Sequence, residues 1–228
     1  NILEPLYSAC LDRMQSFIDE LDAAAAQGEK HRPEKFIDFR RILGQVDRHP
    51  NRSYFIFKSI IVQNLYGVDI MEEAVEICKL RLFLKLIAQV EREEDIEPLP
   101  DIDFNVRAGN TLIGFTNREE VRRALTSQGG QGTLGLFGEG EAADRVEEQA
   151  GLADKAFQRF RQMQTDEEME PSAFARAKEE LRKRLKDLNK ELNRSLALRY
   201  LEAPIKEDAY KKWLDSSQPF HWFVDFYG

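Results

Sequence analysis

The amino-acid sequence predicts an α/β fold dominated by helices, with two or three parallel strands and an inserted helical hairpin. Three observations carry this expectation. The helical period breaks at Leu65-Tyr66-Gly67-Val68-Asp69-Ile70, a short apolar run of the kind that forms a buried parallel strand. A long apolar helical pattern follows from Met71 to Glu93, and then Ile102 to Arg107 alternates apolar with polar. Strand, helix and strand in that order make a βαβ unit. Further on, Phe174, Ala177, Leu181, Leu185, Leu188, Leu192 and Leu196 step by three and four through a highly charged stretch. That spacing predicts an antiparallel helical hairpin or short coiled coil over about 142–201, broken near Pro171.

The remaining elements follow in order. Residues 2–27 read as a helix, with Leu3, Leu6, Cys10, Met14, Phe17, Leu21 and Ala24 on its apolar face, Pro5 in its first turn and Gly28 closing it. Pro33 opens a second helix that carries Phe36, Ile37, Ile42, Leu43 and Val46. His49-Pro50-Asn51 ends it, and a third helix spans about 52–63. In the helix at 71–93, the stripe Val75, Cys78, Leu82, Leu86 and Val90 is widened by Leu80, Phe83, Leu84 and Ile87, which predicts deep burial. Residues 117–126 form a short charged helix. Residues 127–141 hold six of the thirteen glycines and read as a linker. Gly130 to Gly135 matches a dinucleotide fingerprint literally. A charged helix precedes it and further glycines follow, where that fingerprint needs a strand and then a helix. The chain thus divides into an α/β segment at 1–116, a mostly helical insertion at 117–215 and a return segment at 216–228.

Composition narrows the function classes. The 228 residues suffice for one large domain or two small ones, and 42% hydrophobic content with a net charge of -8 excludes a disordered polyelectrolyte or a uniformly basic nucleic-acid coat. The longest uncharged apolar stretch, Ile60 to Val68, is far shorter than a membrane span. No secretory pattern opens the sequence, so a cytoplasmic location without a membrane partner is expected. Cys10 and Cys78 sit in helical apolar patterns and read as reduced core thiols. His31, His49 and His221 lack metal-ligand spacing, so no metal site is expected. The chain starts at Asn1 and ends in the aromatic run Phe220 to Gly228. It reads as a piece of a longer polypeptide, which would be its first partner. Bare strand edges and aromatics make self-association an expectation as well.

Two turns carry most of the chemical information. Asp69 stands at the C-terminal end of the first strand, where open α/β sheets bind ligands. Its two oxygens suit the two hydroxyls of a ribose, and Ile70 would offer an apolar plate to a purine. Asp69 equally suits a plain helix cap. After the second strand comes Gly109-Asn110-Thr111-Leu112. Asn110 offers one acceptor and two donors to a base edge, or forms an ordinary Asn turn. The two turns share a rim if the strands are neighbours.

The string Asn64-Leu65-Tyr66-Gly67-Val68-Asp69-Ile70-Met71-Glu72-Glu73-Ala74-Val75-Glu76-Ile77 resembles the second motif of N6-adenine DNA methyltransferases. The closest group is the large bacterial restriction–modification methylases, including type IIG enzymes with a fused nuclease. Asp101 to Phe115 resembles the segment holding their third motif. Asn1 to Tyr7 resembles the helix after their glycine-rich first motif, and Pro219 to Trp222 resembles the run leading into their catalytic Asn-Pro-Pro-Tyr. The resemblance implies part of a Rossmann-like S-adenosylmethionine-dependent methyltransferase fold. It implies that Asp69 binds the ribose hydroxyls of S-adenosylmethionine and that Ile70 packs on the adenine. Asn110 would meet the adenine edge, where relatives often have Asp, with Thr111 beside the same ring. The substrate would be double-stranded DNA with an adenine flipped out. No Asn-Pro-Pro-Tyr or Asp-Pro-Pro-Tyr occurs here, so no catalytic residue is assigned. The chain alone is expected not to methylate DNA and to bind the cofactor weakly or not at all. An RNA or protein methyltransferase of the same fold, or a non-enzymatic interaction module working through the hairpin, stays open.

From Arg176 to Arg194 the chain has eight basic and four acidic residues, a local net of +4. Arg182, Lys183, Arg184 and Lys186 are candidates for phosphate contact. They equally suit a solvated helix face with pairs such as Glu179–Lys183. Trp213, Trp222, Phe220 and Phe223 read as core aromatics, or as plates for a flipped base.

Overall fold

A computed structural model describes residues 2–27, 36–93, 97–127, 141–164, 170–202 and 204–226, with the backbone alone for 126–127 and 141–143. Gly28, His31, Pro33 and nearly all of the glycine-rich stretch lie outside the described residues. The chain divides into two compact units. One comprises residues 1–65 and 79–100, and the other comprises 66–78 and 101–228.

The first unit is built on three helices, α1 (Leu3–Ala26), α2 (Ile37–Arg48) and α3 (Arg52–Asn64). Leu11, Ile18, Leu43, Val46, Phe55, Ile56 and Ile60 form its buried cluster, with Tyr7, Met14 and Leu21 partly buried against it. On α1 the buried stripe is therefore 7-11-14-18-21. The expected face is corrected in part, since Leu3, Leu6, Cys10 and Phe17 are exposed. An amphipathic helix with apolar residues on two adjoining stripes does not reveal alone which one its partners cover. Ile37 is exposed as well. Asn51 caps α3, its Oδ1 accepting the Tyr54 N–H at 2.9 Å. Glu97 lies between Lys58 (2.8 Å) and the His49 ring (2.7 Å). Partial burial opposes its charge, but those two neighbours hold its pKa below the usual carboxylate value.

In the second unit a parallel pair, β1 (Gly67–Asp69) and β2 (Val106–Ala108), runs in the register Gly67↔Val106, Val68↔Arg107, Asp69↔Ala108. The helix α4 (Glu72–Ile87) links them and passes from the second unit into the first at Lys79. Both strands are shorter than predicted, and the second is displaced. Ile102 and Phe104 are buried but not in a strand, because the chain turns there. Asn105 and Val106 N–H groups donate to the Ile102 carbonyl at 3.0 and 3.1 Å, and Lys178 of a later helix pairs with Asp101 and with Asp103 (2.7 Å). The apolar–acidic alternation thus serves a core on one side and an ion-pair cluster on the other, without strand geometry. The helix α4 also ends earlier than Glu93. Val75 and Leu86 are buried, while Ile77, Leu80, Leu84 and Ile87 are exposed, so the expected deep burial is corrected. Cys10 and Cys78 are both exposed rather than core thiols. Periodicity reports which face a helix has available to bury, not which face it buries.

The helices α5 (Arg118–Ser127), α6 (Glu141–Met163), α7 (Pro171–Ala197), α8 (Glu207–Ser217) and α9 (Trp222–Asp225) complete this unit. The helices α6 and α7 form the predicted hairpin. Phe160 stacks on Phe174 at 4.9 Å near the turn, and Arg145 approaches Glu191 at 4.0 Å toward the far end, so the two run antiparallel. Leu181, Leu185, Leu188, Leu192 and Leu196 are buried with Val146, Phe157 and Phe160, and Phe104 and Phe115 join the same core. Among the described residues, no helix is long and apolar enough to cross a membrane.

Candidate functional site

The C-terminal rim of the β1–β2 pair brings the two informative turns together. Asp69 ends β1, and its carbonyl accepts the Gly109 N–H at 2.9 Å, immediately before Asn110. The Asp69 Oδ1 accepts the Met71 N–H at 2.9 Å, so the cap reading is realised with one oxygen. The Asp69 side chain is exposed, and among the described residues its Oδ2 accepts no hydrogen bond. Asn110 forms an Asn turn, its Oδ1 accepting the Leu112 N–H at 3.0 Å. Among the described residues the Nδ2 amide donates to no side chain or carbonyl, which leaves its two donors available. Ile70 is 54% exposed beside Asp69, and Thr111 is exposed beside Asn110.

The return segment is fastened onto this loop. Asn110 N–H donates to the Gln218 carbonyl at 2.7 Å, and Phe220 N–H donates to the Ile113 carbonyl at 2.8 Å. Asn110 and Pro219 form an isolated parallel bridge, so residue 219 occupies the next strand position. Gln218 adopts φ 43°, a left-handed turn out of α8. Phe220 then lies so close to the loop that a Cβ on Gly114 would sit 1.8 Å from its carbonyl oxygen, and one on Gly109 would sit 2.9 Å from its ring. Only glycine admits this approach without displacement.

A buried polar network anchors the same segment. The His221 Nδ1 accepts the Phe115 N–H at 3.1 Å, so its proton resides on Nε2, 3.0 Å from Asn193 Oδ1 on α7. Burial holds its pKa down to about 4, against the opposing fields of Asp225 and Glu120. Asp225 accepts the His221 N–H at 3.0 Å, pairs with Arg107 of β2 at 2.6 Å and accepts from Asn189 at 2.9 Å. These five side chains were not legible as a network in the sequence. The only local signal was a histidine and an aspartate four apart in an apolar run.

The basic residues of α7 are dispersed. Arg182 faces Glu179 and Asp103 (3.4 and 3.5 Å), and Arg184 faces Glu180 at 2.8 Å. Lys183 lines a groove with Arg145 and Arg184 on one side of the charge balance and Glu180, Asp187 and Glu191 on the other. Lys186 is exposed on the same helix. Trp213, Phe220 and Val224 are buried, whereas Trp222 is 39% exposed. Among the described residues, no group of three potential metal ligands converges.

A parallel β-α-β unit carrying an acid on one tip and an amide on the next is a partial α/β fold, a class whose open sheets in general bind ligands at the C-terminal strand ends. Comparison with known families makes this specific. The family model of the Eco57I restriction-modification methylases matches residues 63–226, so the chain belongs to that family. A Methanocaldococcus jannaschii protein named "Putative type II restriction enzyme and methyltransferase RM.MjaORFECS2P" is 36% identical over 117 residues. The match covers 45% of this chain and 10% of that protein's own length. No solved structure matches the chain.

Proposed function

We propose that this chain supplies the donor-nucleoside rim of a DNA methyltransferase that moves a methyl group from S-adenosylmethionine to adenine N6 in a restriction–modification system. The observation that carries this reading is the 2.9 Å bond from Gly109 N–H to the Asp69 carbonyl, which sets the acid and the amide on neighbouring tips. The fold is then part of a Rossmann-like sheet, with the nucleoside at its C-terminal edge. The second Asp69 oxygen accepts from a ribose hydroxyl. Asn110 donates through Nδ2 to a ring nitrogen of the adenine, Ile70 covers one face, and Thr111 borders it. When bound, the cofactor supplies an electrophilic methyl group. The chain's residues hold its nucleoside in register, and alignment of that kind supplies much of the rate of a direct transfer. The Asn-Pro-Pro-Tyr string is absent from this sequence, so transfer belongs to a longer polypeptide acting on duplex DNA with the target adenine flipped out. Such a protein would work in the cytoplasm, and the exposed apolar stripe of α4 would make this chain associate at high concentration.

The side-by-side tips favour this reading over a purely structural module. The test is tritium transfer from labelled S-adenosylmethionine into duplex DNA by the longer polypeptide, followed by digestion to nucleosides. N6-methyl-2′-deoxyadenosine is the expected product, with KM for the donor raised at least tenfold by Asp69→Ala. This chain alone should transfer nothing. Label in cytosine, in RNA or in protein would overturn the reading.

A further inference from the structure

We propose that Trp222 is a third wall of the rim, its indole packing on the purine of the nucleoside that Asp69 and Asn110 hold. This rests on the rim reading above and adds a residue from a distant part of the chain. Within the return segment Phe220, His221, Val224 and Asp225 are all at most 5% exposed, yet Trp222 among them is 39% exposed. Its place is fixed rather than loose. Phe220 is wedged against Gly109 and Gly114, and His221 is pinned by Phe115 and Asn193. The indole Nε1 consequently lies 3.5 Å from the carbonyl of Thr111, the residue after Asn110. Phe220 and Phe226 meet the indole at interplanar angles of 85° and 64°, so neither stacks flat on it.

The polar side of the rim leaves room for such a wall. One Asp69 oxygen and the Asn110 oxygen already accept backbone N–H groups. What remains is one carboxylate oxygen and two amide protons, which select orientation but bind weakly in competition with water. A rigid aromatic plate beside them binds any purine through its face, and removing such a plate typically weakens binding about tenfold or more. The ligand class is a purine nucleoside, with the ribose toward Asp69 and the base between Ile70 and Trp222.

Adenosine is the probe, titrated into this chain to millimolar concentration while indole and backbone N–H signals are followed by two-dimensional NMR. The sequence has two tryptophans, and Trp213→Phe assigns their indole signals. The expected result is a shift of the Trp222 indole, none of Trp213, and the same midpoint for the Asp69 and Asn110 amides. Trp222→Ala should weaken the midpoint about tenfold, Trp222→Phe should restore most of it, and the Val224 amide should report an unchanged fold in both. Shifts at Asp69 and Asn110 with a silent Trp222, or an unchanged midpoint in Trp222→Ala, would overturn the wall and leave the rim standing. No shift at either tip, or a Trp222 shift unaffected by Asp69→Ala and Asn110→Ala, would overturn both.

Discussion

The α6–α7 hairpin and the β1–β2 rim share one compact unit but are held together differently. In the hairpin, five leucines of α7 at three-and-four spacing are at most 4% exposed, and each buries its own increment of apolar surface. At the rim the strands are three residues long, and position depends on turns, two glycines and one buried histidine. Apolar packing over many turns is redundant. A rim set by close backbone approach is not, so a single added atom there should reach several elements.

The hairpin should show the largest single loss in the ordinary way. Leu192 is fully buried, and Leu192→Ala should cost about 3–5 kcal/mol in denaturant unfolding, without moving the midpoint of adenosine shifts at the rim. A glycine pair sharpens the contrast. Gly114→Ala places a methyl group against the Phe220 carbonyl and should cost about 3 kcal/mol while displacing the Trp222 indole signal. Gly151→Ala, within α6 and with nothing within 4 Å of the new methyl group, should stabilise by up to about 1 kcal/mol. Equal effects from the two changes would erase the distinction between the regions.

Acid should act on the rim's anchor. His221 keeps a pKa of about 4 when folded against an ordinary 6.5, so the unfolded chain takes up the proton first as pH falls. Its contribution is fully present above pH 6.5, fades between 6.5 and 4 and is constant below. The loss attributable to this group is about 3 kcal/mol, and subtracting the profile of His221→Gln isolates it. A difference profile flat across that window would mean the imidazole is not held neutral. The smallest effect belongs to Asp69→Asn. That side chain can still cap Met71, so stability should change by less than about 1 kcal/mol, while adenosine binding weakens.

The legibility of the two regions follows the same division. The hairpin's buried leucines were readable because helical spacing and burial coincide there, and Pro171 supplies the N-terminal turn of α7. The positions of the two tips were readable because Asp69 closes a short apolar run and Asn110 follows an alternating run through Gly109. The second strand's limits were not, since Ile102 and Phe104 alternate for the sake of a turn whose acids meet Lys178. The exposed side of α4 was misread because its leucines have helical spacing whether or not anything covers them. His221 could not be found as an anchor, because its acceptor bond comes from Phe115, 106 residues earlier. Pairings at that separation leave no periodic trace in one sequence.

Saturation-transfer difference NMR of adenosine with this chain tests the central proposal most directly, because it detects weak binding and reports which ligand protons touch protein. The account predicts saturation of both the ribose and the base protons, reduced at least fivefold by Asp69→Ala and again by Asn110→Ala. Equal saturation in the parent chain and both variants would contradict it, placing the nucleoside away from the rim.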